Sequence, residues 1–218
     1  MSKLVWDETG KKYYETGVKM AVLYNQVDGA YTKGTAWNGF RSFEKRPSGA
    51  EATALWADDT KYLNMMSAEE FAATIGAYTY PDEFNACIGY KELTPGVLVG
   101  QQDHEIFGLC VRTTIGNDVK GNEYGYKLHL VYGAQAAPSE VSYSTINDSP
   151  EAIELSWELT TTPVVVAGCK PTAYIEIDST KIGSSKLAAL ETVLYGDESK
   201  EARLPLPDEV KTLLAAGA

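Results

Sequence analysis

Within Glu151–Thr160 the chain alternates from Ile153 onward without a break. Ile153, Leu155, Trp157 and Leu159 fall on one side of an extended backbone, and Glu154, Ser156, Glu158 and Thr160 on the other. Successive side chains of a strand point to opposite faces, so this period of two builds one face for a core and one for water. Antiparallel sheets have that two-sided character. A second ribbon, Tyr124–Tyr132, repeats the pattern, with Tyr124, Tyr126, Leu128, Leu130 and Tyr132 on one face and Lys127 and His129 on the other. A chain holding two such ribbons is committed to an antiparallel sheet.

Further strands are expected at Val18–Tyr24, Thr35–Phe43, Ala52–Ala57, Tyr62–Met66, Glu105–Ile115 and Thr172–Asp178. Turn chemistry separates them: Asp28-Gly29, Pro47-Ser48-Gly49 and Gly116–Gly121. Ser67 and Glu70 have capping-box spacing. The β-formers Thr74, Ile75, Tyr78, Thr79 and Tyr80 and the helix-disfavouring Gly76 outweigh it, so Ser67–Tyr80 is expected to be extended. Pro81-Asp82-Glu83-Phe84 suits a single helical turn.

Helical spacing enters only after Ser179. Leu187, Leu190 and Leu194 form a stripe that begins near Ser184 and Ser185 as caps and stops at Gly196. A shorter helix is expected from Pro207, with Val210, Leu213 and Leu214 on one face. No low-complexity linker divides the chain, so residues 1–218 read as one domain with an N-terminal arm over 1–17 and a C-terminal arm over 197–218. The expected fold is mainly β, an antiparallel β-sandwich or barrel with a flanking C-terminal α-helix. Its core should contain Trp157, Leu155, Leu187 and Leu190.

A net charge of −11 and no Lys/Arg cluster argue against a surface that grips phosphate backbones. Met1–Tyr14 lacks the apolar stretch of a signal peptide, and no apolar run is long enough for a membrane helix. Cys87, Cys110 and Cys169 are an odd number without a CxxC pair, and read as small buried hydrophobes. His104 and His129 fall in different elements, and no nucleophile elbow or glycine-rich phosphate loop occurs. Asp58-Asp59 and Asp82-Glu83 read as solvated loop charges, and Asn147-Asp148-Ser149-Pro150 as a turn. No catalytic, cofactor-binding or metal-ligating set emerges, and an enzyme is not expected.

Several segments resemble, in order, the major tail protein (tail tube protein) of long, non-contractile-tailed bacteriophages. They are Pro47–Asp58 followed by Lys61-Tyr62-Leu63-Asn64, Ala77–Phe84, Gly116-Asn117-Asp118, Tyr124–Ala134, Ile146–Ala152 and Arg203–Val210. The resemblance is placed over the chain from about Val18 to Val210, in order. The resemblance implies a β-sandwich with a flanking helix that closes into hexameric rings, the rings stacking into a tube. It also implies partners: further copies of the chain, a tape-measure protein, tail-tip and tail-terminator proteins, and genomic DNA that passes through the lumen without specific binding. The implied location is the virion tail, assembled in the host bacterial cytoplasm. No added immunoglobulin-like C-terminal module is expected, so the implied tube is unadorned.

Six chains at −11 would carry roughly −66 per ring, a field that repels phosphate. Glu154 and Glu158 are candidate lumen-facing residues on this reading. Alternation alone fits an outer surface equally well. The inner tube of a contractile tail or injection device is the structural alternative. A β-sandwich carbohydrate-binding module is another, with Trp6, Trp37 and Trp56 as its stacking platform.

Overall fold

The computed structural model describes residues 3–146, 148 and 151–215. Its strands are β1 (Tyr13–Asn25), β2 (Gly34–Ala36), β3 (Phe40–Lys45), β4 (Ser48–Gly49), β5 (Ala52–Ala57), β6 (Thr60–Met66), β7 (Glu69–Glu70), β8 (Ala73–Ala77), β9 (Lys91–Thr94), β10 (Val97–Val99), β11 (Phe107–Asn117), β12 (Gly121–Ala136), β13 (Leu155–Thr161) and β14 (Tyr174–Asp178). Helices α1 (Ser184–Tyr195) and α2 (Pro207–Ala215) follow. The fold is mainly β, its strands pair antiparallel, and a helix closes the C-terminal side. An eight-stranded sheet runs β2-β1-β11-β12-β13-β8-β3, with β14 added to β12.

Strand β12 sets the shape because its outer edge serves two partners. Lys127–Val131 pairs with β14, and Ala134–Ala136 pairs with β13. Gly133 sits at the change of partner with φ of +59°, and a Cβ there would lie 2.2 Å from the Thr162 carbonyl oxygen. Only glycine tolerates both that backbone and that approach. The Gly133 N–H donates to the Tyr31 hydroxyl at 2.8 Å, which fixes the bend.

Two apolar clusters lie on the two faces of β1, β11 and β12. In the first, Leu23, Leu109 and Val131 pack with Ile75 of β8 and Trp157 of β13, so distant strands of the sheet share one interior. Trp157 meets Phe84, Tyr80 and Trp37 edge-on, at ring separations of 5.1, 5.6 and 6.0 Å. Such contacts match the positive edge of one ring to the negative face of the next. In the second cluster Val22, Tyr24, Cys110, Leu128, Leu130 and Tyr132 receive Leu187, Leu190 and Leu194 of α1 and Val210 of α2. Tyr24 and Tyr132 keep their hydroxyls satisfied by donating to the carbonyls of Leu194 and Pro205, at 2.6 and 2.9 Å.

The Tyr124–Tyr132 face containing His129 is therefore not a wet one, since the sheet is covered on both sides there. Several boundaries also differ from expectation. β1 begins at Tyr13, inside the expected 1–17 arm, and bulges near Gly17 and Met20 interrupt the alternation that would have revealed it. Thr35–Phe43 divides into β2 and β3 around Gly39, whose φ is +75°. Ser67–Tyr80 holds only β7 and β8, and Ser48–Gly49, expected as a turn, pairs with β7. Thr172 forms an isolated bridge with Val164 ahead of β14. Helix α1 is preceded by Gly183 without a side-chain cap, so Ser184 and Ser185 are its first residues. Within the expected 197–218 arm, residues 197–215 pack back onto the sheet through Leu204, Pro207 and Val210. The expected turn at Asn147-Asp148-Ser149-Pro150 falls, except for Asp148, outside the described residues.

Candidate assembly surfaces

Among the described residues, strands β5 and β6 pair only with each other, apart from the eight-stranded sheet. Asp58 and Asp59, with φ of +50° and +57°, form the two-residue loop between Ala57 and Thr60. Positive φ at both loop positions matches the right-handed twist of a hairpin. Every residue of β6, and all of β5 but Ala54, is exposed. Leu55 and Leu63 face each other across the ribbon, and Trp56, Tyr62, Met65 and Met66 extend the apolar surface. Trp56 is 69% exposed. A second small ribbon, β9–β10, exposes Leu93, Val97, Leu98 and Val99.

Glu154 and Glu158 are exposed, on the opposite side of β13 from buried Trp157 and Leu159 and half-buried Leu155. This face is not purely acidic. Arg41 pairs with Glu154 and lies over the Tyr78 ring, 5.8 Å from its centre. Arg46 reaches Glu44 at 3.1 Å and Glu158 at 3.7 Å. Both expected lumen acids thus have arginine neighbours. Register explains the meeting, since Glu158, Thr74 and Glu44 are successive cross-strand partners across β13, β8 and β3. Sequence reading missed the two arginines because β3 and β13 are more than a hundred residues apart in the chain.

On the inner side, His129 is 3% exposed and fully engaged. Tyr174 donates its hydroxyl hydrogen to Glu176 at 2.8 Å, so its oxygen accepts from His129 Nδ1 at 2.6 Å, and Nε2 accepts from Thr113 at 2.7 Å. This is a neutral imidazole, and burial pushes its pKa down to about 4. Glu176 receives Lys45 at 2.9 Å and Lys127 at 2.8 Å, and Lys127 also pairs with Glu15. Burial acts against the Glu176 carboxylate, but hydrogen bonds from Lys127, Lys45 and Tyr174 outweigh it and bring the pKa to about 2. The cluster ties β1, β3, β12 and β14 together. His104 lies elsewhere, bonded through Nδ1 to the Ala136 carbonyl at 2.8 Å.

Leu187 and Leu190 lie in the helix-covered cluster. Trp37 is buried against Trp157, whereas Trp6 and Trp56 are exposed, so the three do not form the platform that a carbohydrate module would need. Cys87 and Cys110 are buried, and burial raises both thiols to about 12. Cys169 is exposed, contrary to expectation, in the turn between Val164 and Thr172. Among the described residues no helix is long and apolar enough to cross a membrane. No protein-family model matches the chain, and no curated protein matches it either.

Proposed function

We propose that the chain is a structural subunit of a bacteriophage tail tube, which assembles with its own copies into hexameric rings that stack around a DNA conduit. The observation that carries this reading is the β5–β6 hairpin. A free two-stranded ribbon is marginal in water, and an apolar patch of this kind on a soluble surface calls for a partner. Most of the ribbon, Ala52–Met66, falls in the stretches Pro47–Asp58 and Lys61–Asn64 that resemble the tail-tube family. The role is structural, and the buried side chains with displaced pKa values are absorbed in packing and hydrogen bonding. The tape-measure, tail-tip and tail-terminator proteins are the partners that follow from this reading.

Negative-stain microscopy and sedimentation of the concentrated protein test it, alone and with a tail-tip complex as nucleus. Rings or tubes are expected from the unaltered chain. The doubly substituted Trp56→Asp, Met66→Asp protein should keep its circular dichroism spectrum and remain monomeric. Strictly monomeric unaltered protein under both conditions would refute the assignment.

A further inference from the structure

Residues Lys3–Thr9 precede the first strand, and in them Leu4, Val5 and Trp6 project into solvent, with Trp6 75% exposed. The segment is moored at Gly10. The Gly10 N–H donates to both Asp118 carboxylate oxygens at 3.0 and 3.1 Å, and Asn117 donates to the Gly10 carbonyl at 3.1 Å. This mooring lies beside the β11–β12 turn, at the end of β1 that holds Tyr13.

At the other end of β1, next to Asn25, a cleft of about 670 Å³ opens between the Asp82–Phe84 turn and the β9–β10 ribbon. Asp82, Glu83, Glu92, Asp103 and Glu105 line it, with Lys91 the one cation among its described lining residues and Lys33 reaching Glu83 from outside at 3.9 Å, while Leu98 and Tyr90 supply apolar wall. Its volume falls in the range of roughly 300–1,000 Å³ typical of sites that enclose a small organic group.

The segment cannot fill the cleft of its own chain. The cleft adjoins Asn25, which pairs with Phe107 at one end of β11, and the mooring adjoins Asn117 at the other end. That strand has 11 residues, so the two places stand roughly 33 Å apart at about 3.3 Å per residue. Trp6 is four residues from Gly10 and reaches at most roughly 14 Å from it. We propose, resting on the self-assembly reading above, that the Lys3–Trp6 segment of one copy docks in the acidic cleft of the next. Trp6 lies against Leu98 and Tyr90, and Lys3 faces the carboxylates. The contact is heterologous, since knob and socket sit at opposite ends of β1, and repetition of such a contact builds either a closed ring or an open stack.

The test uses the full chain with exposed Cys169 replaced by serine. Trp6→Cys and Leu98→Cys are introduced together, both at exposed positions, and the assembled protein is oxidised. A ladder of covalent dimers, trimers and larger species on a non-reducing gel is expected, whereas either cysteine alone should stop at dimers. Independently, Trp6→Ala should weaken self-association at least tenfold in sedimentation. Lys3→Glu should weaken it more at low salt than at high salt, because screening is weaker there. Particles that form but give no ladder, or a cross-link within single chains, overturn the docking and leave the tube reading standing. Unaltered protein that never assembles overturns both.

Discussion

Acid should unfold the protein through His129 before it reaches the carboxylates. The imidazole is neutral in the fold, wedged between Thr113 and Tyr174, and burial lowers its pKa from 6.5 to about 4. Between those values the unfolded chain binds a proton that the folded chain does not, so stability falls as the pH falls. At 1.36 kcal/mol per pKa unit, the loss by pH 4 is about 3 kcal/mol, a large share of a typical domain's stability. The groups facing the imidazole are Glu176, Glu15, Lys45, Lys127 and Tyr174, of which the lysines remain charged throughout. Glu176 acts lower down the scale. Its pKa is depressed from 4.5 to about 2, so its stabilisation is complete above 4.5 and disappears as the pH falls through 2. Urea denaturation at pH 7, 5.5 and 4, at one low protein concentration, measures the effect in the unaltered chain and in His129→Gln. The variant should be weaker at pH 7, having lost fitted hydrogen bonds, but its stability should change about 3 kcal/mol less between pH 7 and 4. Parallel pH profiles for the two proteins would refute the argument.

Trp157→Ala empties the centre of the aromatic cluster and should cost about 3–5 kcal/mol, seen as a lower urea midpoint or as insoluble expression. Leu190→Asp places an unpaired carboxylate between α1 and the sheet and should abolish folding or assembly; tubes formed by this variant would show the helix to be dispensable. Glu154→Lys with Glu158→Lys sets two lysines beside Arg41 and Arg46, so if this face lines the tube, tails should assemble but eject DNA more slowly, above all at low ionic strength. Normal ejection kinetics from such tails would place the face outside.

The parts of the fold legible in the sequence are those where one residue's fate depends on near neighbours. Leu155, Trp157 and Leu159 alternate with Ser156, Glu158 and Thr160, and Leu187, Leu190 and Leu194 recur at helical spacing, so these faces could be assigned from spacing alone. Ile153, placed on the same apolar face, instead lies ahead of β13 and is exposed. β1 was half hidden because its bulges shift the register by the step that exchanges faces. The expected Tyr124–Tyr132 strand lies inside the longer β12, yet its second face was misjudged, because burial of His129 depends on β14 and β3 arriving from elsewhere in the chain. The arginine partners of Glu154 and Glu158 were illegible for the same reason. Their pairing follows from the order β13-β8-β3, which no local pattern encodes.

Assembly surfaces are harder still to read, because residues that serve a second copy look the same as residues that serve a core. Val22-Leu23-Tyr24 in β1 and Leu55-Trp56 in β5 are both runs of large apolar residues that break strict alternation. In β1 the run is buried on both sides, Leu23 in one cluster and Val22 and Tyr24 in the other. In β5 both residues stand in solvent. What separates them is topology: β1 has β2 and β11 as neighbours and a covered sheet on either face, whereas β5 has only β6. An apolar run on both faces of a strand says that two layers must cover it. For β5–β6 the described residues supply neither layer, and on the tail-tube reading proposed above a second copy of the chain supplies both.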